Sequence, residues 1–352
     1  MRSVFIRMKI TRKLSPFNHL KINHLLLALL LLSPAISFAT EGEESEGFNP
    51  SEMIDHHVGD SHSWEIFHGM TVHLPVIIYS EEKGLDVFSS SNFYNEHHEV
   101  VPYDGYVMEH EHISLESGEQ LYDISITKNV FFLLLTTTLI LFVFSAVARG
   151  YKKNEGGAPK GIQAFFEPLI VFVRDDIAKE NIGPRYERYV PFLLTIFFFI
   201  WFGNMIGLLP AAANLTGNIA VTLVLATITL VITMFSTRKT YWLHIVDPVG
   251  NSMPWAAKIF LYFILWPVEI LGIFTKPFSL MIRLFANITA GHILILSLLS
   301  LAFITQSIAV GVVGALFASV MNLLELFVAA LQAYVFTLLA SMYFGQAVEE
   351  HH

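Results

Sequence analysis

Two long apolar stretches in the C-terminal part of the chain contain charged and polar residues at a regular spacing. In the first stretch, Glu269, Lys276 and Arg283 follow one another at intervals of seven residues. In the second stretch, Glu325 and Gln332 have the same interval. Residues seven positions apart lie on the same face of an α-helix. The spacing therefore predicts two membrane helices that each carry a polar stripe.

Three further polar residues extend these stripes. Asn287 follows Arg283 by four residues. Asn322 precedes Glu325 by three, and His292 lies farther along the first stretch. A charged side chain that faces lipid at the bilayer centre costs about 2.5–3.5 kcal/mol. These groups are therefore expected to face each other, a water-filled cavity or a partner protein.

The ionisable groups in the stripes are of the types that form an ion path. Glutamate and histidine bind and release protons near neutral pH when their surroundings perturb them. Arginine stays protonated in proteins, so Arg283 is a fixed charge and cannot relay a proton. A static network of salt bridges that only fixes helix packing is the alternative interpretation of the same residues.

The composition indicates a polytopic membrane protein. Of the 352 residues, 54% are hydrophobic and 14% are charged, whereas about 25% of an average soluble domain is charged. The absence of cysteine excludes disulfides, thiolate metal sites and cysteine nucleophiles. The sequence also contains no G-x-x-x-x-G-K-[ST] motif, so no P-loop nucleotide site is expected.

The apolar segments predict an all-α polytopic membrane protein with about five membrane helices, because about 20 apolar residues cross a bilayer as a helix. Each of the last two segments would be roughly 60 Å long as a helix, against a bilayer core of roughly 30 Å. Each is therefore either two segments or one steeply inclined helix. The expected spans are 129–148, 189–209, 219–236, about 259–302 and about 307–346.

The connection between the first two spans contains an amphipathic segment. In residues 161–180, apolar side chains recur at helical spacing, with Gln163, Glu167 and Arg174 among the polar residues between them. This pattern predicts a helix that lies on the inner membrane surface. Pro168 is expected to kink that helix.

The distribution of basic residues predicts the orientation in the membrane. Residues 149–188 contain eight Lys/Arg and residues 238–258 contain three, whereas 212–218 contain none. Loops rich in Lys and Arg remain in the cytoplasm. The protein is therefore expected in a bacterial cell (inner) membrane, with a periplasmic mature N-terminus and a cytoplasmic C-terminus.

The first 39 residues have the pattern of a signal peptide. A basic start is followed by the apolar run 25–32, and Ser37 and Ala39 occupy the −3 and −1 positions of a cleavage site. Cleavage would give a mature chain that begins near Thr40. An uncleaved anchor is the alternative interpretation.

Residues 40–125 are expected to form an exported, acidic, His-rich segment. They contain 19 Asp/Glu, the single basic residue Lys83, and nine of the 15 histidines. Residues 72–80 predict one strand and Asp104–Gly105 a turn. A solvated acidic segment is favoured over a metal-binding or proton-buffering one, because the histidine spacings match no closed metal site. No metal-ligating residue is predicted.

Two segments, KPFSLMIRLFANITAGH at 276–292 and ELFVAALQAYVFTLL at 325–339, resemble the signature of subunit a of the F-type ATP synthase. GNMIGLLP at 203–210 and the C-terminal EEHH also fit that family. The resemblance covers about 125 to 352, so residues 126–352 are expected to be a membrane domain of this type. Many family members lack a signal peptide and have a shorter outer segment.

The resemblance implies a role for each polar residue. Arg283 would face the carboxylate of the rotating c-ring, Asn287 would be the asparagine one turn on, and Gln332 would be the glutamine on the neighbouring helix. His292 and Glu325 would be an interacting pair in the outer half-channel, and Glu269 the acid of the inner one. The supporting residues would be Lys276 and Ser279 of a K-P-x-S element, together with Asn322.

The implied function is that of a proton-translocating stator subunit of the Fo sector. It would offer two half-channels to the c-ring and couple hydrogen ion transport to rotation and ATP synthesis. Such a subunit has no catalytic activity alone and no cofactor. Its partners would be the c-ring, the b subunits of the peripheral stalk and the lipid bilayer, and not nucleic acid.

Two other functions fit the sequence less well. An ion-coupled secondary transporter usually has internal repeats, and none is visible here. A sensor with an exported metal-binding domain would need a cytosolic output domain, for which only 149–188 and 238–258 are available.

Overall fold

The computed structural model gives the protein a bundle of long helices with a small β-rich unit at its N-terminal end. It describes residues 59–348, apart from 68–69, 82, 96–98, 110, 119, 155–156, 210, 238–240 and 243–254. The expected signal peptide, the first part of the acidic segment, most of the 238–258 loop and the C-terminal EEHH lie outside the described residues.

Five helices in the described residues are long and apolar enough to cross a membrane, which confirms the expected number. A shorter helix, α2, lies between the first two of them. In chain order the helices are α1 Lys128–Lys153, α2 Ile162–Val171, α3 Val190–Gly207, α4 Ile219–Ser236, α5 Trp255–Thr305 and α6 Ile308–Val348.

Each of the last two apolar stretches is one continuous helix. The helices α5 and α6 contain 51 and 41 residues, which corresponds to lengths of roughly 75 Å and 60 Å. Since a bilayer core is roughly 30 Å thick, helices of this length fit only when they are inclined. The chain reverses between them at Gln306, whose φ is 48°, in agreement with the expected division near 305–306.

Glycines allow α6 to approach its neighbours at backbone distance. A Cβ on Gly345 would lie 2.0 Å from the carbonyl oxygen of Asn181, and one on Gly314 would lie 2.8 Å from that of Leu298. Small residues permit such close approach between membrane helices. The position of α6 is therefore fixed by direct backbone contact at both points.

The segment that was expected on the membrane surface packs apolar side chains into the helix bundle. Phe166, Val173 and Ile177 lie in the same hydrophobic core as α3 and α6. Gln163, expected on the polar face, is buried and accepts a hydrogen bond from Asn154 Nδ2 at 3.2 Å. The location of this segment at the inner membrane surface stays a prediction.

The hydrogen-bond pattern of this segment changes soon after Pro168. Helix α2 is followed by a π-helical stretch, Phe172–Lys179, a single helical turn, Glu180–Ile182, and a 3₁₀ stretch, Gly183–Arg188. Proline has no N–H to donate to the helix ladder, and π-helical turns accompany such interruptions.

The N-terminal residues 59–127, called the β unit below, contain seven short strands among the described residues. Strand β3 lies between β4 and β7, whereas β1 pairs with β2 and β5 with β6, all antiparallel. The strands are β1 Ser63–Phe67, β2 Met70–His73, β3 Pro75–Ser80, β4 Gly84–Ser89, β5 Tyr106–Glu109, β6 His112–Leu115 and β7 Leu121–Asp123.

The sequence made two predictions about local structure in the β unit, a strand and a turn. The segment 72–80 is not one strand but parts of two, because Pro75 cannot donate to a ladder and so begins a new strand. A turn is present at Asp104–Gly105, where φ is 49° and 78°. Positive φ values at both central residues suit a tight hairpin turn.

His62 is a buried histidine between two carboxylates of the β unit. Its side chain is 3% exposed, with Nδ1 3.3 Å from Glu111 Oε2 and Nε2 3.5 Å from Asp123 Oδ2. Burial disfavours the charged ring, but hydrogen bonds and charge from the two carboxylates raise the pKa of His62 to about 9. Partial burial opposes ionisation of Asp123 as well, yet the contacts with His62 and Ser125 lower its pKa to about 2.

These shifts predict that the β unit loses stability at alkaline pH. The protonated His62 stabilises the fold fully below about 6.5, its ordinary pKa, and this stabilisation is lost as the pH rises through about 9. In limited proteolysis of the full chain in membranes, we expect cleavage within 59–127 to increase several-fold between pH 7 and pH 10. The rate at which the protease cleaves an unfolded substrate at each pH is used to correct for the pH dependence of the protease itself.

The variant His62→Gln should be cleaved faster at pH 7 and should show a much smaller increase at pH 10. His112→Gln, at an exposed position of β6, serves as the control and should behave as the unaltered chain. Equal increases in His62→Gln and the unaltered chain would contradict this role of His62.

Candidate functional site

A histidine of α5 and a glutamate of α6 meet between the two helices. His292 Nδ1 lies 2.5 Å from Glu325 Oε1, and His292 Nε2 lies 3.1 Å from the carbonyl oxygen of Gly207, at the end of α3. Both ring nitrogens thus face hydrogen-bond acceptors. Since a neutral imidazole donates from one nitrogen and a protonated one from both, the surroundings suit the protonated ring.

Glu325 is buried, with 4% of its surface exposed, and only one of its oxygens faces His292. Its Oε2 is buried and has no hydrogen-bond partner among the described residues. A Cβ on Gly291 would lie 3.0 Å from Glu325 Oε1, so the glycine before His292 provides room for the carboxylate. The unpaired Oε2 is a hydrogen-bond acceptor inside the bundle. Burying it without a partner reduces the stability of the fold, so a functional reason for its presence is expected.

Two polar residues beside this pair were not singled out from the sequence. Asn204 of α3 is buried, accepts a hydrogen bond from Thr216 Oγ1, and donates to the Ala329 carbonyl of α6 at 3.4 Å. The sequence did contain a signal for Asn204, because it is the single amide side chain in the apolar run GNMIGLLP at 203–210. Its neighbour Thr216 looked like an ordinary turn residue.

Arg283 and Asn287 lie together on an exposed face of α5. Arg283 forms no salt bridge with a carboxylate among the residues that the structure describes. Its charge acts on Tyr343 of α6, and Ser279, one turn earlier, is also exposed. A cation on an apolar helix that lacks an anionic partner in its own chain requires one from elsewhere.

Gln332 and Asn322 lie on the buried side of α6, on the same side as Glu325. The polar stripe of α6 thus faces the bundle, whereas the Arg283 part of the α5 stripe faces outward. The resemblance implied that Gln332 is the glutamine on the helix next to that of Arg283. Gln332 lies on α6 and is 4% exposed, whereas Arg283 on α5 is exposed.

A second polar group lies toward the start of α5. Lys276 Nζ donates to Gln346 Oε1 at 2.8 Å and lies 5.5 Å from the centre of the Tyr343 ring. The charge of Glu269 acts on Lys276. A small cleft opens here between α4, α5 and α6, and Thr233 is among the residues that line it.

The single helix α5 sets the distances between these groups. At 1.5 Å per residue, His292 and Glu269 are roughly 35 Å apart along the helix axis. Arg283 lies between them, roughly 14 Å from the level of His292 and roughly 21 Å from that of Glu269. The structure therefore brings His292 and Glu325 together and keeps Glu269 apart from them, with the unpaired arginine in the gap.

Comparison with known families gives two matches in different parts of the chain. The family model for the ATP synthase A chain matches residues 130–345, which include α1 to α6 almost completely. A domain of unknown function matches residues 53–130, which correspond to the β unit and the residues just before it.

Several curated proteins are similar to this chain. The chain is 48% identical over 229 residues to ATP synthase subunit a 2 of Chlorobaculum tepidum, covering 64% of each protein. It is 44% identical to ATP synthase subunit a of Chloroherpeton thalassium, with 65% of this chain and 69% of that one covered. Over 90% of this chain and 75% of the other, it is 36% identical to ATP synthase subunit a of an Anaeromyxobacter species. The match to the Chlorobaculum protein thus spans slightly less than two thirds of that protein's length.

The contact between His292 and Glu325 predicts coupling between their substitutions. Replacing either residue with alanine should slow proton flux through the assembled protein, because each loses its partner. The exchanged pair, His292→Glu with Glu325→His, should lose less flux than its two single exchanges, His292→Glu and Glu325→His, predict together, with a coupling free energy of at least about 1 kcal/mol.

The measurement is a double-mutant cycle on proton flux into membrane vesicles, with the amount of assembled protein determined for each variant. Strictly additive losses would argue against a functional contact. Normal flux per assembled protein in both single variants would show that the pair serves packing alone.

Proposed function

The chain belongs to the ATP synthase A chain family, and we propose that it is the proton-translocating stator subunit of an Fo sector, working against a c-ring. The observation that carries the proposal is the exposed Arg283, which lacks a carboxylate partner among the described residues. It lies between a buried acid–histidine pair and a separate acid on the same helix. Arg283 is thus suited to meet a carboxylate of a moving partner.

In the proposed outer half-channel, a proton reaches the His292–Glu325 pair. His292 can hold it between Glu325 and the Gly207 carbonyl, since both acceptors face its ring. The unpaired Oε2 of Glu325 offers the next position for the proton. From there the proton passes to a carboxylate of the c-ring, which becomes neutral and can enter the lipid.

Arg283 separates the two halves of the path. Opposite charge favours the ionised form of a carboxylate, so a c-ring acid that arrives at Arg283 gives up its proton toward Glu269. The fixed positive charge of the guanidinium also repels protons and prevents direct passage between the half-channels. The rotation of the ring is then the only route from one half-channel to the other.

Several structural features support an inner half-channel near the start of α5. Glu269, Lys276 and the cleft between α4, α5 and α6 are all found at that level. The excess of Lys and Arg in residues 149–188 favours the cytoplasmic side for the same end of the bundle. The β unit would then be periplasmic, after removal of the signal peptide at residues 1–39.

The partners in this proposal are the c-ring and the b subunits of the peripheral stalk. Nucleotide chemistry would belong to other subunits, and this chain would have no catalytic activity alone. The coupling of proton flow to rotation would be its contribution to ATP synthesis.

Arg283 gives the sharpest test. Arg283→Lys keeps the charge but loses the planar, permanently protonated head, so we expect normal assembly and loss of ATP-driven proton pumping. Arg283→Ala should in addition leak protons passively, because the positive barrier between the half-channels is removed. Both are measured in vesicles by the quenching of a pH-sensitive dye.

The matched control is Arg149→Lys, at an exposed position near the end of α1. Pumping in this control should equal that of the unaltered complex. Near-normal pumping in Arg283→Lys or Arg283→Ala would overturn the assignment of Arg283 and, with it, the proposed stator function.

The proposed orientation has its own test. Protease added to sealed, right-side-out cells should cleave within 41–120 and leave the tail at 349–352 intact. An antibody against the tail and mass spectrometry of the released peptides record the two outcomes. Loss of the tail under these conditions would show that the orientation is reversed.

A further inference from the structure

Five residues at the start of the β unit, 60–64, contact the membrane helices and are called the clasp below. Asp60 Oδ1 accepts a hydrogen bond from the backbone N–H of Asn129 at 3.0 Å, and the Ser61 carbonyl accepts one from that of Lys128 at 2.8 Å. Both donors belong to the first turn of α1, whose N–H groups have no partner within the helix. The clasp therefore caps α1 with residues of the β unit.

Trp64 connects the clasp to a different element, the turn after α3. Its Nε1 donates a hydrogen bond to the carbonyl oxygen of Ala211 at 2.8 Å. Its ring lies 5.4 Å from that of Phe131 and 5.2 Å from that of Phe132, centre to centre. Ala211 has a φ of 64°, a conformation that non-glycine residues adopt only when their surroundings hold them in it.

The turn that Trp64 holds is packed directly on Gly207. A Cβ on Gly207 would lie 3.2 Å from Asn214 Cα and 3.6 Å from the Ala213 carbonyl oxygen. The carbonyl oxygen of Gly207 is the acceptor that faces His292 Nε2. An unbroken series of contacts thus runs from the indole of Trp64, through the turn, to the buried histidine.

Charges of the β unit also act toward the same site. The charged groups that act on His292 are Glu325 of α6 and Lys128 of the first turn of α1. Lys128 is in turn acted on by Asp60 and Glu111 of the β unit. The effect of Lys128 on His292 is the smallest of these, so the contacts through Trp64 are the main connection.

We propose that the clasp is a positioning element of the outer half-channel, in which Trp64 holds the turn at 211–217 and thereby the Gly207 carbonyl that faces His292. The inference rests on the proposed function, because it assigns the β unit a part in proton uptake at the same site. Without the clasp, the Gly207 carbonyl shifts, and a proton on His292 loses one of its two acceptors.

The test uses the complete ATP synthase reconstituted in vesicles, with Trp64→Phe as the variant. Phenylalanine keeps an aromatic ring against Phe131 and Phe132 but removes the indole N–H. We measure ATP synthesis against the pH on the side of the β unit, between 5.5 and 8, at fixed pH on the other side. In this range the ion pair of His62 stays intact, since its pKa is about 9.

The pH at which synthesis is half-maximal should move by about one unit toward acid, which is the lower end of the effect of losing one hydrogen bond to a charged group. The amount of assembled complex should stay unchanged. The matched control is Trp242→Phe, which removes an indole donor to Thr237 Oγ1 (3.0 Å), in a different part of the chain. Its pH profile should coincide with that of the unaltered complex.

An unmoved pH profile in Trp64→Phe would overturn the inference, even if the amount of assembled complex falls. A purely structural clasp would change only that amount. If Trp64→Phe does not assemble, Asp60→Ala is measured in the same way, and an unmoved profile in that variant also overturns the inference.

A parallel pH profile of His292→Gln shows whether a negative result concerns the clasp or the proposed function. Unchanged synthesis in His292→Gln refutes the role of the pair, whereas altered synthesis there with an unmoved Trp64→Phe profile refutes the clasp alone.

Discussion

A charged group inside the hydrocarbon layer needs a polar or oppositely charged partner. The arrangement of the helices follows from these pairings. Glu325 has its partner in His292, and Lys276 in Gln346 and the ring of Tyr343. These contacts require α5 and α6 to lie side by side at close range. Gly291 permits the first contact, since a larger residue there would occupy the space of the carboxylate. The packing of α5 against α6 and the placement of the acid–histidine pair thus both depend on the need to pair these charged groups.

Arg283 differs from the other charged residues of the stripes, because its side chain is exposed and forms no salt bridge with a carboxylate among the described residues. An unpaired cation in lipid carries a desolvation cost. In the proposed assembly, a partner with a negative charge would therefore meet the face of α5 around Arg283 and Asn287.

The sequence predicted the parts that follow from helical periodicity. Intervals of seven residues placed Glu269, Lys276 and Arg283 on one helix, and the long apolar segments gave five spans. Other parts depend on contacts between distant positions, which periodicity does not encode. The hydrogen bond from Trp64 to Ala211 joins residues 147 positions apart, and the acceptor opposite His292 Nε2 is a backbone carbonyl, which has no sequence signature. Gln163 looked like a surface residue because its hydrogen-bond partner Asn154, nine residues earlier in the chain, could not be inferred from helical periodicity.

The backbone contact between Gly345 and Asn181 has a mechanical consequence. A side chain under load can change rotamer and yield, but two backbones in direct contact cannot. In the proposed assembly, a ring that turns against α5 and α6 would exert a sideways force on this helix pair. The backbone contact of Gly345 with Asn181, in the segment Glu180–Ile182, would then transmit the force to the rest of the bundle, so that the pair of helices would not bend.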